Sequence, residues 1–306
     1  MGQLRSVLEN YDDQWWWRHR LLSRVVGPLT RLIYGSGGED VMSRDWDNLF
    51  IFDACRSDMF EEVVGVDQFD SYETIRSKGG NSPEWIRNNF NGKTYNDTIY
   101  VVANPWTHVL EQDIFFKVID VFEEKEMVQS CSSIDFEKWD DVGTVPASVM
   151  NDVTRKIHDT HPDKRLIVHY FQPHDPVIGR GDGEIEIDEE LEPRTNLVTG
   201  RVSPGEIWDG YSRNLQYVYH YAEKLMDDLD GKTVISADHG ELLGEILWPI
   251  PVRGYAHPEG VYHPNLTTVP WAEIDGERRE IAAGQGNHDR ISKNKERLRD
   301  LGYLGD

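Results

Sequence analysis

Lysine, cysteine and long apolar runs are what this 306-residue chain has least of. Two cysteines, Cys55 and Cys131, are too few for a disulfide scaffold. Cys55 sits in an apolar strand context and reads as a buried, reduced thiol. No stretch approaches 18 consecutive apolar residues, so no membrane-spanning helix is expected. The first residues lack the basic region, apolar core and small-residue cleavage site of a signal peptide, which makes the cytoplasm the expected location. Basic charge is scarce: 11 Lys and 21 Arg face 30 Asp and 25 Glu, a net charge of -23. Nucleic acid is excluded as the main partner, because phosphate backbones need basic footprints. Strong acidity with little lysine suits a halophile-like surface, where high salt screens self-repulsion. Internal repeats are also lacking.

What the chain does have begins with an unusual N-terminus. Residues 1–34 carry three consecutive tryptophans and five Arg against three acids. Trp17, Leu21, Val25, Leu29 and Leu32 fall near a helical stripe, with Pro28 as a kink. The ordinary reading packs this stripe on the domain; the other docks it on a membrane surface or a partner, since Trp and Arg suit interfaces. Gly35 to Gly38 read as a linker. The expected organisation is a helical segment and linker over 1–38, a catalytic domain over 39–285, and a charged helical tail over 286–306.

Strands and helices then alternate. DNLFIFDA (47–54), DTIYVVANP (97–105), KRLIVHYFQPHDP (164–176) and KTVISADHGE (232–241) are apolar runs with polar ends. Helical patterns lie at 83–90, 111–124, 146–160 and 205–229, and the acidic stretch 177–204 reads as an inserted loop or lid. Continuous apolar strands separated by helices predict an α/β fold, a mostly parallel central sheet with helices on both faces.

In such sheets ligands sit outside the carboxyl ends of the strands. Four strands deliver polar residues there: Asp53, Asn104, the run from His169 to Asp175, and Asp238-His239. Each has an ordinary reading alone. Ser82 before Pro83 is a helix cap, Asp53 with Arg56 and Asp58 a helix-start charge cluster, Asp238-His239-Gly240 a turn, His169 and His174 structural histidines. Together they suggest a metal site, since two carboxylates and an imidazole suit a divalent ion. Ser82 at a helix start, where backbone N–H groups favour an anion, is the candidate nucleophile on phosphorus or sulfur.

Asp53 in FIFDACRSD, Ser82 in NSPEW, HYFQPHDP and SADHGE, in this order, resemble the alkaline phosphatase superfamily, nearest its sulfatase-like branch. The likeness runs over about residues 45–275 and implies an alkaline-phosphatase-like core. It implies Asp53, Ser82, Asp238, His239 and His257 as metal ligands, with His263 in reserve for His257. It implies Ser82, Arg56 and His174 as catalytic residues, and Asn104, His169 and Gln172 as substrate-binding. The late VPW stretch resembles the family's Val-Pro strand. Two departures matter. The formylglycine motif C/S-x-P-x-R is absent, because Asn81 and Trp85 occupy its positions around Pro83. No Asp-x-x-x-His pair is evident, so one ion (Zn, Mn or Ca) is expected rather than two.

The expected function is a metal-dependent hydrolase or transferase of phosphate, or sulfate, esters. The alternatives are a sulfatase-fold protein of a surface-glycan pathway and a non-catalytic metal-binding scaffold. The expected partner is a small-molecule or glycan ester, with peripheral membrane contact through residues 14–34; the oligomeric state is open.

Overall fold

The structure, a computed structural model, describes residues 14–132, 139, 142–180, 183–188 and 200–284, and no side chain at 14–16 or 19. Its centre is a seven-stranded sheet. The strands are β1 (Asn48–Asp53), β2 (Ser71–Arg76), β3 (Tyr95–Val102), β4 (Phe115–Asp120), β5 (Arg165–Pro173), β8 (Thr233–Ala237) and β11 (Thr268–Ile274), in spatial order β2-β11-β8-β1-β5-β3-β4. Pairings β8–β1, β1–β5, β5–β3 and β3–β4 are parallel; β11 alone runs backwards, between β8 and β2. Every residue of β1 and β8 is buried, as expected of strands covered on both sides.

The covering helices include α3 (Ser57–Val63), α4 (Ser82–Phe90), α6 (Ala147–Thr160) and α7 (Pro204–Asp228). Neighbouring residues of β5 show the two faces. Tyr170 turns to Phe50 and Phe52 and donates to Asn151 of α6 at 2.8 Å. His169 turns the other way, edge-on to Trp85 of α4 at 5.5 Å. This is the period-2 alternation of a strand sandwiched between helix layers. The chain therefore has the mostly parallel α/β architecture expected from its apolar runs.

Two local readings change. The stretch 111–124 is not helical: Phe115–Asp120 forms β4 at the sheet edge, and a short helix, α5, follows at Lys125–Cys131. Its Phe, Val and Ile content is strand-forming, and pairing along β3 decides the matter. The acidic stretch after residue 176 contains an antiparallel ribbon, β6 (Val177–Gly179) with β7 (Ile185–Asp188); residues 189–199 lie outside the described residues, as does the tail at 286–306.

The N-terminal arm is two helices, α1 (Gln14–Leu21) and α2 (Gly27–Tyr34), joined by a π-helical turn at Leu22–Val26 just before Pro28. Proline cannot donate its share of the ladder, and the widened turn absorbs the defect. The arm packs through Leu22 and Val26 on Leu242, Leu247, Val261 and Leu266. This seats it on a hairpin formed by β9 (Leu242–Ile246) and β10 (Arg253–Ala256). Of the two readings of the stripe, packing on the domain does not hold for Trp17, Leu21, Val25 and Leu32, which face out, while Leu22 and Val26, about 100° round the helix, fit the hairpin.

Candidate metal centre

β1 ends on Asp53 with a break in register: Phe52 pairs with Tyr170, but Asp53 pairs with Pro173. Ala54 then takes a left-handed φ of 59°. Such a conformation costs an alanine roughly 1 kcal/mol, and it turns the Ala54 N–H onto Asp238 Oδ1 at 3.1 Å. The His239 N–H donates to the same oxygen at 2.9 Å. Two backbone donors thus hold one Asp238 oxygen and leave the other, Oδ2, facing the cluster.

Asp53, Asp238 and His239 each bring one ligand atom to a common point, all within 4.8 Å of one another. His239 Nε2 lies 3.5 Å from Asp53 Oδ1 and 3.5 Å from Asp238 Oδ2. Its Nδ1 lies 2.8 Å from the Gly240 carbonyl. A carbonyl only accepts, so Nδ1 carries the proton and Nε2 presents its lone pair inward. Ser82 Oγ sits 3.2 Å from that Nε2. Asn104 Nδ2 donates to Asp53 Oδ2 at 2.5 Å and to Ser82 Oγ at 3.0 Å, which ties nucleophile to carboxylate. Asn81 caps α4 by accepting from Glu84 N at 3.0 Å. Capping is therefore Asn81's task, and the Ser82 hydroxyl is released to face the cluster.

Asp53 Oδ1, Asp238 Oδ2 and His169 Nε2 are buried without a hydrogen-bond partner. Buried polar atoms are nearly always satisfied, and these three belong to one cluster. Burial first, and then the charge of Asp238, push Asp53 well above the ordinary carboxylate range, with the Asn104 hydrogen bond pulling only partly back. Burial also acts to raise Asp238, but the electrostatic interaction with His239 and the contacts of His169 and Ser82 outweigh it and hold Asp238 low. Two buried carboxylates facing one lone pair repel each other; a divalent cation between them removes the conflict. The donor set of two carboxylates, one imidazole and a hydroxyl fits such an ion.

The remaining expected residues fall into three places. His169 stands behind Asp238, its Nε2 3.5 Å from Oδ2 and its Nδ1 2.7 Å from the Tyr100 hydroxyl. His174 and His257 form a second layer: the His257 ring packs 4.6 Å from His239 and 5.2 Å from His174. His257 does not join the ligand atoms. Its Nδ1 is held by Glu241 Oε2 at 2.8 Å, and both side chains are nearly buried. Three residues are spent elsewhere. Arg56 grips Asp58 with Nε and Nη2 and reaches Glu245 at 2.6 Å with Nη1, so two nearby carboxylates take the charge expected to orient an anion. Gln172 donates to Thr144 Oγ1 and the Val145 carbonyl. His263 caps a one-turn helix, α8 (Pro264–Thr267), by accepting from Asn265 N.

Sequence reasoning missed Tyr100, Ala54 and Glu241. Only Glu241 had a visible signal, since it directly follows Asp238-His239-Gly240.

Neither a protein-family model nor a curated protein matches the chain. Solved structures do. The integral membrane protein lipooligosaccharide phosphoethanolamine transferase A (EptA) from Neisseria meningitidis aligns at TM-score 0.47 and 12% identity, over 75% of this chain and 47% of that one. The chain thus spans about half the length of that protein. The C-terminal periplasmic domain of EcEptC from Escherichia coli, in complex with Zn, aligns at 0.42 and 12%, over 79% and 76%. A protein in the alkaline phosphatase superfamily from Vibrio parahaemolyticus aligns at 0.38 and 11%, over 83% and 69%.

Proposed function

We propose that the chain is a divalent-metal-dependent hydrolase or transferase of phosphate esters that works through Ser82. One observation carries the reading: unpartnered, buried Asp53 Oδ1 and Asp238 Oδ2 converge with His239 Nε2 beside a serine hydroxyl released from capping. Asp53, Asp238, His239 and Ser82 would hold the ion, and the imidazole with few oxygens favours Zn or Mn over Ca, which takes six to eight oxygens. When bound, the ion supplies Lewis-acid stabilisation of charge on the transferred group and lowers the pKa of the serine hydroxyl.

Asn104 fixes Ser82 Oγ for attack. Oγ forms a bond to phosphorus as the ester P–O bond breaks, and the serine proton is lost to solvent. The leaving oxygen takes a proton from His257, which Glu241 holds in place through Nδ1 so that Nε2 is the exchanging nitrogen. Water, or an acceptor hydroxyl in a transfer, then attacks phosphorus and gives its proton to the His257 left unprotonated by the first step, as the P–Oγ bond breaks and Ser82 Oγ regains a proton from solvent. His174 lies beside His257 to line the anion's path. The absent formylglycine motif ranks sulfate esters below phosphate. Small-molecule and glycan esters both fit this chemistry, and within this reading the arm at residues 14–34 brings the body to a membrane.

A panel of aryl phosphates, phosphodiesters and sulfates, run with Zn²⁺, Mn²⁺ or Ca²⁺, tests the reading. Turnover of a phosphate class is expected, with Ser82→Ala and Asp238→Ala each losing roughly 10³-fold or more. Full turnover in Ser82→Ala would remove Ser82 from the chemistry. No turnover, no bound metal and equal melting with and without chelator would leave a non-catalytic scaffold.

A further inference from the structure

Eight large apolar side chains are exposed among the described residues, and seven of them sit on the arm and its hairpin: Trp17, Leu21, Val25, Leu32, Ile33, Ile246 and Trp248. Leu32 is 81% and Trp248 65% exposed. Trp17, Leu21, Val25, Pro28 and Leu32 recur at helical spacing, so they form one outward stripe; the inward stripe of Leu22 and Val26 is already covered. The arm is thus apolar on two faces, and among the described residues the stripe of Leu22 and Val26 is the one packed on the hairpin.

Charge identifies what the other face meets. Residues 14–38 hold four arginines (18, 20, 24 and 31) and no acid, so the rest of the chain carries -27 against the total of -23. An arginine-flanked apolar stripe on an otherwise acidic protein is complementary to an anionic interface. A second copy would bring the same arginines face to face. A cleft of about 490 Å³ opens beside α2, with Arg31 of the arm facing Lys78 and Arg87 of the body, and Glu84 among them. Glu84 accepts from the N–H groups of Gly80 and Gly260, Lys78 pairs with Asp40 at 2.9 Å and Arg87 lies 4.0 Å from Glu259, so the basic charge for docking comes from the arm's own arginines.

We propose that this stripe, extended by Ile246 and Trp248, docks the protein on an anionic lipid bilayer, with phosphate headgroups taken up at the arginines. The apolar side chains enter the acyl boundary while the arginines stay at headgroup level. The body's repulsion is screened beyond about 10 Å at 0.1 M salt. The proposal deepens the reading of the previous section by naming the surface the arm meets.

Flotation of the full chain tests it, using vesicles of phosphatidylcholine alone and an equal mixture with phosphatidylglycerol. The protein is expected to float with the mixture and not with phosphatidylcholine alone. Leu21→Glu/Val25→Glu/Leu32→Glu and Arg24→Glu/Arg31→Glu should each lose more than tenfold of the bound fraction while melting as wild type does, since these side chains face solvent. Ser82→Ala, inactive on esters, should float normally, which separates docking from catalysis. Wild type left in the lipid-free fraction, or a triple variant that floats equally well, would overturn the proposal. So would a lipid-free dimer that the triple variant dissolves, because the stripe would then be an interface between copies.

Discussion

Asp53→Asn should melt above wild type in chelator and below it when a divalent metal is supplied. The two carboxylates approach within 4.8 Å. Taking an effective dielectric constant of about 20, their repulsion is of order 3 kcal/mol. Asparagine keeps an oxygen to accept from Asn104, and its amide can donate toward Asp238 Oδ2, which is buried and unpartnered in the wild type. For a chain this long, 1 kcal/mol is worth about 2 °C of melting temperature, so the variant should melt roughly 5 °C above wild type in chelator at pH 8. The gap should close on acidification. Asp53 is raised in the folded state, so wild-type stability is greatest with Asp53 protonated and falls as pH rises through that raised pKa. With metal at about 1,000 times its Kd, wild type gains about 4.1 kcal/mol and the variant much less, so the order inverts. Differential scanning calorimetry with chelator and with Zn²⁺ reads both signs. If Asp53→Asn melts below wild type in chelator, the two buried carboxylates are not in conflict without a cation, and the metal argument fails.

Other outcomes follow from the same geometry. Gly240→Ala places a Cβ about 2.1 Å from the Asn265 carbonyl oxygen. Backbone must shift, and the variant should lose metal-dependent stabilisation in the same calorimetric assay. Glu241→Gln weakens the hold on His257 and should lower kcat by about 10- to 100-fold at nearly constant KM, read with an activated and a poor leaving group; the loss should be smaller for the activated ester. His169→Ala removes the support behind Asp238 and should weaken metal affinity about tenfold or more in a competition titration.

The central strands were legible because burial on both sides leaves no room for polar residues until the strand ends. That rule alone points to Asp53, Asn104 and Asp238. The edges were not legible. Phe115–Asp120 has too few residues for periodicity to separate strand from helix, and only its parallel pairing with β3 settles it. Long side chains gave the poorest guidance on role. Arg56 sits in the expected place in sequence, yet its charge is taken by Glu245, 189 residues away. The arm stayed ambiguous for a different reason: both its stripes are apolar, and the pattern cannot say which one the hairpin takes.

The reversed strand β11 also sets an order of assembly. β2 has no sheet neighbour except β11, and β2 leads through Ser77–Asn81 to Ser82. Ser77 itself is bonded to the Thr267 carbonyl at the foot of β11. During synthesis, at about 5–20 residues per second, the strands bearing Asp53 and Asp238 can pair long before residue 268 emerges. β2 joins the sheet only when β11 arrives alongside β8. A ribosome-bound chain ending before β11 therefore carries both carboxylates of the candidate centre while β2, which leads to Ser82, still lacks its partner in the sheet.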